Sequence, residues 1–249
     1  KACESAVDKG LDGIAFVDHL DYDFPGSGPE TLLDVANYSV YIDDLKASLK
    51  GGLKILKGIE IGIQPHVIED SLRVIKDNDF DFVIASVHII DREDPCKGQF
   101  YPGRTKIDAY SRYLEEVLFK IRNFDDFDIS AHFDYIIRYP DYPEGSLRYT
   151  DHSDLFDEIF RELIQRGKGF EVNTGSYRVK NDGRPVPQYD INILKRYREL
   201  GGEILTLGSD AHDPENIGYK FDYFSELIKS SGFKYLAYFE KRKPVFSAI

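Results

Sequence analysis

The segment LTLGSDAHDPENIGY, residues 205–219, places a carboxylate and an imidazole two positions apart where an apolar strand ends. The apolar run breaks at Gly208 and is followed closely by Asp210 and His212. Carboxylate oxygens and imidazole nitrogens are common ligands of divalent metals such as Zn, Mn and Fe. The same residues could instead cap a following helix, because Ser and Asp are frequent at helix N-termini. The segment alone leaves both interpretations open.

Side chains of the same two types lie at or just past the ends of four other apolar runs. A single histidine at such a place is more often a hydrogen-bonded structural residue, but recurrence at five strand ends favours one common site. The carboxyl ends of parallel strands converge on one edge of a sheet. The predicted metal ligands are therefore His19, Glu60, His88, His132, Asp210 and His212.

The size of this ligand set predicts more than one metal ion. Six ligands exceed the three protein groups that usually hold one catalytic zinc, so we expect a cluster of two or more ions. The two remaining histidines, His66 and His152, lie at the starts of predicted helices and are interpreted as structural. Asp18, next to His19, is interpreted as a carboxylate that orients an imidazole rather than as a ligand.

Two arginines follow predicted strands at the same edge of the sheet. Arg138 lies six residues past His132, and Arg178 follows Asn173 and Thr174 beyond the next strand. The planar guanidinium group matches the paired oxygens of a phosphate. These side chains could equally be solvated loop arginines, since the spacing alone does not separate the two interpretations.

The candidate residues are carried by a regular alternation of predicted helices and strands. The predicted helices cover 2–9, 32–50, 67–77, 106–123, 150–168 and 189–200, the predicted strands cover 13–17, 54–61, 81–87, 127–133, 169–174 and 202–208, and the segments 223–232 and 234–239 close the chain. This alternation predicts one α/β domain over residues 1–249, with a parallel sheet that is open or closed into a barrel. The long loops 91–105 and 174–188 are candidates for functional segments.

Composition limits the classes of partner. A formal net charge of −12 disfavours nucleic acid, although bound cations would still allow a small phosphorylated substrate. No run of 18 uncharged apolar residues predicts a membrane span, and the first residues lack a signal-peptide pattern. Two cysteines without a close pair suit a reducing compartment. We therefore expect a cytoplasmic protein without nucleic-acid or membrane partners.

Several motifs together resemble histidinol-phosphate phosphatases of the PHP (polymerase and histidinol phosphatase) superfamily. The resemblance covers essentially the whole chain, and SDAH alone is common to many PHP proteins. The combination of EVNTGSYR with SDAHDPENIGY and KRKPVF is more specific to the phosphatase branch. The motifs are FVDH, GIEIG, ASVH, ISAHFDYIIR, FEVNTGSYR, LTLGSDAHDPENIGY and the tail YFEKRKPV.

The resemblance implies a distorted (β/α)7 TIM-like barrel with a trinuclear metal centre at the carboxyl ends of its strands. By motif, His19 and His212 resemble ligands of one metal, and Glu60, His88 and His132 resemble ligands of another. Glu60 would bridge to a third metal that Asp210 also binds. Arg138 and Arg178 occupy the places of phosphate-contacting arginines.

One family motif has no counterpart here. PHP proteins carry a His-x-His segment on their first strand, whereas this chain opens inside a predicted amphipathic helix and contains no Met. We therefore expect the first strand and its ligands to precede Lys1, so that the domain is N-terminally incomplete.

The resulting functional hypothesis is a metal-dependent phosphomonoesterase that hydrolyses L-histidinol phosphate. Asp210 and His212 would be the catalytic residues, Arg138 and Arg178 would bind the phosphate, and the metals would activate a water molecule. The acid that protonates the leaving group is not identified. Acidic side chains of the first long loop would attract the amine of histidinol, and they are Asp91, Glu93 and Asp94.

Three alternatives remain open at this point. The chain could be another PHP phosphoesterase that acts on nucleotides or phosphotyrosine peptides. It could be a non-catalytic PHP scaffold, because the His-x-His segment is not matched. An amidohydrolase-type deaminase also uses strand-end histidines, but such an enzyme would typically have a modified lysine where this sequence has Glu60.

Overall fold

The computed structural model describes residues 1–49, 51–140, 142–179 and 183–249 of the chain. Within them, six parallel strands form one sheet in which each strand pairs with the next one in sequence. The strands are β1 (Gly13–Asp21), β2 (Lys54–Gly62), β3 (Phe82–Ser86), β4 (Ile129–Ser130), β5 (Gly169–Asn173) and β6 (Leu205–Gly208). This half-barrel with surrounding helices confirms the predicted α/β class.

Seven α-helices of the described residues precede, connect or follow the strands. They are α1 (Ala2–Asp8), α2 (Val35–Ser48), α3 (Ile68–Asp77), α4 (Lys106–Asn123), α5 (Ser153–Gln165), α6 (Ile191–Glu199) and α7 (Phe221–Ser230). Helix α4 has the predicted bounds, because the Thr105 side chain caps its first turn by accepting a hydrogen bond from the Asp108 N–H. Helix α2 begins three residues later than predicted, since Asp34 caps it at the Asn37 N–H. Its predicted end at residue 50 lies outside the described residues.

Strands β1 and β4 differ from their predicted lengths in ways that change the position of a candidate ligand. Strand β1 continues to Asp21 because it pairs with β2 over nine residues, so His19 lies inside the strand and opposite Glu60. Strand β4 is only two residues long, so His132 lies in the turn after it. Strand ends depend on the neighbouring strand, which a local apolar pattern does not contain.

The chain closes with an antiparallel hairpin of β7 (Tyr235–Glu240) and β8 (Lys243–Ala248). Strand β8 was not predicted, because the turn between the strands lacks the usual Asn-Gly or Asp-Gly signal. Its two residues, Lys241 and Arg242, have positive φ values of 49° and 64°. Tertiary contacts hold this turn, since the Arg242 N–H donates to the Asp81 carbonyl at 2.7 Å.

The two faces of the sheet have different coverings. Val83 and Ala85 of β3 belong to the large core between the sheet and the helices. Phe82 and Ile84, on the opposite face, pack with Ile129 and with Phe239 of the hairpin. The hairpin therefore covers the inner face towards the amino ends of the strands. Because side chains alternate along a strand, His19, Glu60 and Glu171 share this inner face further towards the carboxyl ends.

Among the described residues, no helix is both long enough and apolar enough to span a lipid bilayer.

Candidate metal centre

Glu60 lies at the middle of a group of imidazoles. Its carboxylate oxygens are 3.1 Å from Nε2 of His88, 3.1 Å from Nε2 of His132 and 3.7 Å from Nε2 of His19. The Glu60 side chain is buried, with 7% of its surface exposed. Burial by itself would raise the pKa of Glu60, but the neighbouring imidazoles hold it well below its usual range. A buried carboxylate is thus kept ionised among nitrogen donors.

A second carboxylate, Asp21, supports two of these imidazoles. Its oxygens lie 2.8 Å from Nδ1 of His88 and 3.6 Å from Nδ1 of His19. Burial would lower the pKa of His88, but Asp21 and Glu60 together raise it to about 10. The interpretation of Asp18 as the orienting carboxylate is therefore wrong. Asp18 projects to the other face of β1, because only alternate residues of a strand share a face.

Asp210 and His212 complete the cluster from the loop after β6. The rings of His19 and His212 have centroids 5.8 Å apart. Asp210 has a left-handed backbone with φ of 48°, a conformation in which Asp is over-represented. Ligand atoms within 4.8 Å of one another define three overlapping groups, namely His19 with Asp21 and His88, His19 with Asp210 and His212, and Glu60 with His88 and His132. All six predicted ligands are thus brought together.

The donor set fits divalent cations. It consists of nitrogen and carboxylate oxygen atoms, which suit Zn, Mn and Fe. His132 Nδ1 is buried without a hydrogen-bond partner in the part of the chain that the structure describes. Burial also lowers the pKa of His132, which favours the neutral imidazole that binds metals. The electrostatics of the cluster and its donor atoms therefore both favour a bound cation.

Glu171 of β5 is a site residue that the sequence prediction missed. Burial, together with Asp210 and Glu60, raises its pKa to about 8. Its Oε2 accepts a hydrogen bond from Asn173 Nδ2 at 3.0 Å. Gly208 makes room for it, since a Cβ at Gly208 would lie 1.8 Å from Glu171 Oε1. The signal was present as a lone acidic residue inside the apolar run GFEVN.

The two predicted phosphate-binding arginines converge on Asp210. Arg138 forms an ion pair with Asp210, with 2.7 Å between Nη2 and Oδ2. Arg178 donates from Nη2 to the carbonyls of Ser209 and Asp210, the latter at 2.7 Å. A cavity of about 410 Å³ begins beside Arg178 and is bounded by the segments 142–148 and 184–188. Arg178 therefore lies between Asp210 and an open cavity, whereas Arg138 is largely buried beside Asp210.

The remaining histidines lie outside the cluster. His152 is buried and its Nδ1 is 3.0 Å from the Ser111 hydroxyl. His66 is exposed and its Nε2 is 2.8 Å from the Asp23 carboxylate. Both environments agree with the structural interpretation of these two residues.

The acidic residues of the first long loop already have partners. Asp91 pairs with Arg112 at 2.8 Å, and Glu93 lies 3.7 Å from Arg104. Asp94 accepts a hydrogen bond from the Cys96 N–H at 2.8 Å. These contacts offset part of the negative charge of the loop, and attraction of a substrate amine to it stays a prediction.

A cluster of imidazoles and carboxylates at the carboxyl ends of a parallel half-barrel, flanked by two arginines, defines the class of a metal-dependent phosphoesterase. The profile of the PHP domain family matches residues 1–175. Histidinol-phosphatase of Lactococcus lactis is 32% identical over 244 residues, which cover 98% of this chain and 88% of that protein. A "Probable histidinol-phosphatase" of Clostridium acetobutylicum is 30% identical over 96% of this chain and 91% of its own length.

A solved structure gives the same result. The crystal structure of the Lactococcus lactis histidinol phosphate phosphatase, complexed with Zn, L-histidinol and phosphate, superposes with a TM-score of 0.89 and covers 98% of this chain and 91% of that one. The chain belongs to the PHP family, in its histidinol-phosphatase branch. This confirms the resemblance seen in the sequence motifs.

Proposed function

We propose that this protein hydrolyses L-histidinol phosphate to L-histidinol and inorganic phosphate with the help of bound divalent metals. The observation that carries the proposal is the convergence of the imidazole–carboxylate cluster and two arginines on Asp210. The similarity to a histidinol-phosphatase over nearly the whole chain supports the substrate.

The metal ligands within this chain would be His19, Glu60, His88, His132, Asp210 and His212. We propose that this centre would hold three ions drawn from Zn, Mn and Fe, with Glu60 among their ligands. When bound, such ions lower the pKa of water and neutralise the oxygens of a phosphoryl group. Asp21 would orient His19 and His88, as carboxylates behind metal-bound histidines usually do.

The protein's own groups would bind the phosphate and limit the access of water. Arg138 and Arg178 supply positive charge beside Asp210, where they would stabilise the charge that develops on the phosphoryl oxygens in the transition state. The Tyr135 ring packs against the imidazoles of His88 and His132, with ring centroids 5.3 Å and 5.2 Å away. His212 has the most exposed side chain of the cluster, at 69%, and could transfer a proton at its edge.

The composition supports a cellular location and a class of partner for this protein. A net charge of −12 and two free cysteines agree with a cytoplasmic protein whose partner is a small phosphorylated molecule rather than nucleic acid or a membrane.

The substrate assignment is tested by kinetics on the full-length, metal-loaded protein. Histidinol phosphate should have a kcat/KM at least roughly tenfold above those of sugar phosphates, AMP and phosphotyrosine, a difference of about 1.4 kcal/mol. Equal rates across this panel would overturn the substrate assignment and leave a general phosphatase. Activity that survives complete chelation would overturn the metal-dependent mechanism itself.

The arginine roles are tested by Arg138→Ala and Arg178→Ala. Each should lower kcat/KM by roughly one to two orders of magnitude with unchanged metal content, because each removes a contact between charged groups. Arg161→Ala is the matched control, since Arg161 is 61% exposed on α5 and pairs only with Asp157 among the described residues. Wild-type kinetics in both site variants would return these arginines to the solvated-loop interpretation.

A further inference from the structure

We propose that Ser176 and Asp134 are positioning residues that orient the Arg138 guanidinium towards the substrate phosphate. The inference rests on the proposed function, in which Arg138 contacts that phosphate. It concerns two side chains that carry no assigned role. Ser176 also lines the cavity beside Arg178, and Asp134 is connected to Arg138 through the Ser176 hydroxyl. The three residues form a chain from a buried carboxylate through a hydroxyl to the guanidinium.

The hydrogen bonds of this chain run in one direction. Arg138 donates from Nε to the Ser176 hydroxyl at 2.8 Å, and that hydroxyl donates to Asp134 Oδ1 at 3.1 Å. A serine hydroxyl has one hydrogen and two lone pairs. Because Asp134 takes the hydrogen, a lone pair remains for Arg138. The Asp134 carboxylate thus orients the hydroxyl so that a lone pair faces Arg138. The hydroxyl in turn fixes the position of the Nε edge of the guanidinium.

Burial makes this arrangement specific rather than incidental. Ser176 and Asp134 are 3% and 4% exposed, and the Arg138 side chain is 16% exposed. A carboxylate is costly to bury without an opposite charge. The opposite charge here is Arg138, which the serine holds in place. Tyr135 lies against the guanidinium, with 5.2 Å from Cζ to the ring centroid.

The chain draws on separate strand ends. Asp134 follows β4, Ser176 follows β5, and Asp210, which pairs with Arg138 Nη2, follows β6. With its Nε edge on Ser176 and its Nη2 on Asp210, the guanidinium plane is set from two sides. Arg178 is held differently, because its Nη2 donates to the backbone carbonyls of residues 209 and 210. Loss of the serine hydroxyl should therefore affect Arg138 and leave Arg178 in place.

This difference supplies the test, a double-mutant cycle with Ser176→Ala on the full-length, metal-loaded protein. Alone, Ser176→Ala should lower kcat/KM for histidinol phosphate and weaken binding of inorganic phosphate, each by roughly tenfold. In the Arg138→Ala background, Ser176→Ala should lower kcat/KM and phosphate affinity by less than about twofold. In the Arg178→Ala background it should again cost roughly tenfold. Metal content should stay at the wild-type level throughout.

Two further variants separate positioning from general damage. Asp134→Asn keeps an acceptor for the hydroxyl and should lose less phosphate affinity than Ser176→Ala. Ser231→Ala removes another buried hydroxyl, at the end of α7, and should leave phosphate affinity unchanged. A full Ser176→Ala penalty in the Arg138→Ala background would overturn the proposal, and so would unchanged phosphate affinity in Ser176→Ala.

The measurement also distinguishes this inference from the proposed function. Binding of inorganic phosphate, followed by calorimetry, requires no turnover of any substrate. If histidinol phosphate is not hydrolysed but the cycle on phosphate binding shows the expected coupling, the substrate assignment fails and the positioning role stands. If histidinol phosphate is hydrolysed and the coupling is absent, the positioning role fails alone.

Discussion

At the amino end of the half-barrel, charged side chains are matched by opposite partners, whereas at the carboxyl end several carboxylates and imidazoles share one small space. Arg242 of the hairpin turn pairs with Asp126 and Asp128, and Lys46 pairs with Asp81. At the other end, burial raises the pKa of the Glu171 carboxyl, and the neighbouring carboxylates of Asp210 and Glu60 raise it further. The amino end is arranged for stability, and the carboxyl end is arranged to receive a cation.

The two ends of the half-barrel differ in which groups offset the free-energy cost of removing water from buried charges. Burial raises the pKa of Asp128, and the Arg242 guanidinium opposes that shift within the protein itself. Carboxylates of the metal cluster have imidazoles and one arginine nearby, but they also repel one another. Such an arrangement depends on bound cations for its full stability. Substitutions at the two ends should therefore have different consequences.

The largest effect is expected for Glu60→Gln. Loss of the central negative charge should remove metal from the cluster and lower kcat/KM on the order of 10³-fold, which corresponds to about 4 kcal/mol. Elemental analysis and kinetics on the same preparation would measure both quantities. Chelation of the wild type should reproduce the loss, and added metal should restore only the wild type. Full metal content and wild-type kcat/KM in this variant would show that Glu60 is not a ligand of the metal centre.

At the opposite end, Arg242→Ala should lower the free energy of unfolding by about 3 kcal/mol, because it leaves buried Asp128 without its cation. Urea denaturation at constant metal concentration would measure this change. The kcat of the folded protein should be unaffected. Lys241→Ala, in the same turn but exposed, is the matched control and should change stability little. Comparable losses in both variants would mean that the turn conformation, rather than the ion pair, carries the stability.

A smaller effect is expected for Asp21→Asn. Asparagine can still accept a hydrogen bond from an imidazole, but it lacks the charge that favours a cation. Metal affinity should therefore fall by roughly 10- to 100-fold. Asp18→Asn is the control, since Asp18 projects from the other face of β1. Metal titration of both variants would measure the two affinities. Equal losses of metal affinity would show that the face of β1 from which the carboxylate projects does not matter.

The smallest effect concerns Lys120 of α4, which is 1% exposed and donates to the Ala85 carbonyl at 2.8 Å and the Ser130 hydroxyl at 2.9 Å. Burial lowers the pKa of Lys120 to about 7, against the opposing charge of Glu60. The unfolded chain then binds more protons than the native protein between about pH 7 and 10.5, so stability rises with pH in that window.

Lys120→Met removes this titration. The unfolding free energy of the wild type relative to the variant should increase by about 2 kcal/mol between pH 7 and pH 9. Denaturation of both proteins at matched metal concentration measures the difference, in which the pH dependence shared by the two cancels. A difference independent of pH would mean that Lys120 is charged throughout this range.

Much of the fold could be read from periodicity, and the exceptions have a common cause. The helix bounds of α4 follow from its own cap and apolar spacing, which are local. The end of β1 depends on β2, and the hairpin turn at Lys241 depends on Asp81, which is 160 residues away. Local patterns contain no information about such partners. The predicted end of β1 at residue 17 was too early for this reason.

The sequence by itself determined the order of the elements, the parallel α/β class and the residue types available for a metal cluster, because apolar periodicity and motif spacing are properties of short segments. Only the tertiary structure decided that Asp21 rather than Asp18 supports the imidazoles and that Glu171 lies beside the cluster. It also decided that Ser176 and Asp134 hold Arg138. Each of these contacts joins side chains from different strands or loops, and it exists only when strand register and twist bring them within a few ångströms.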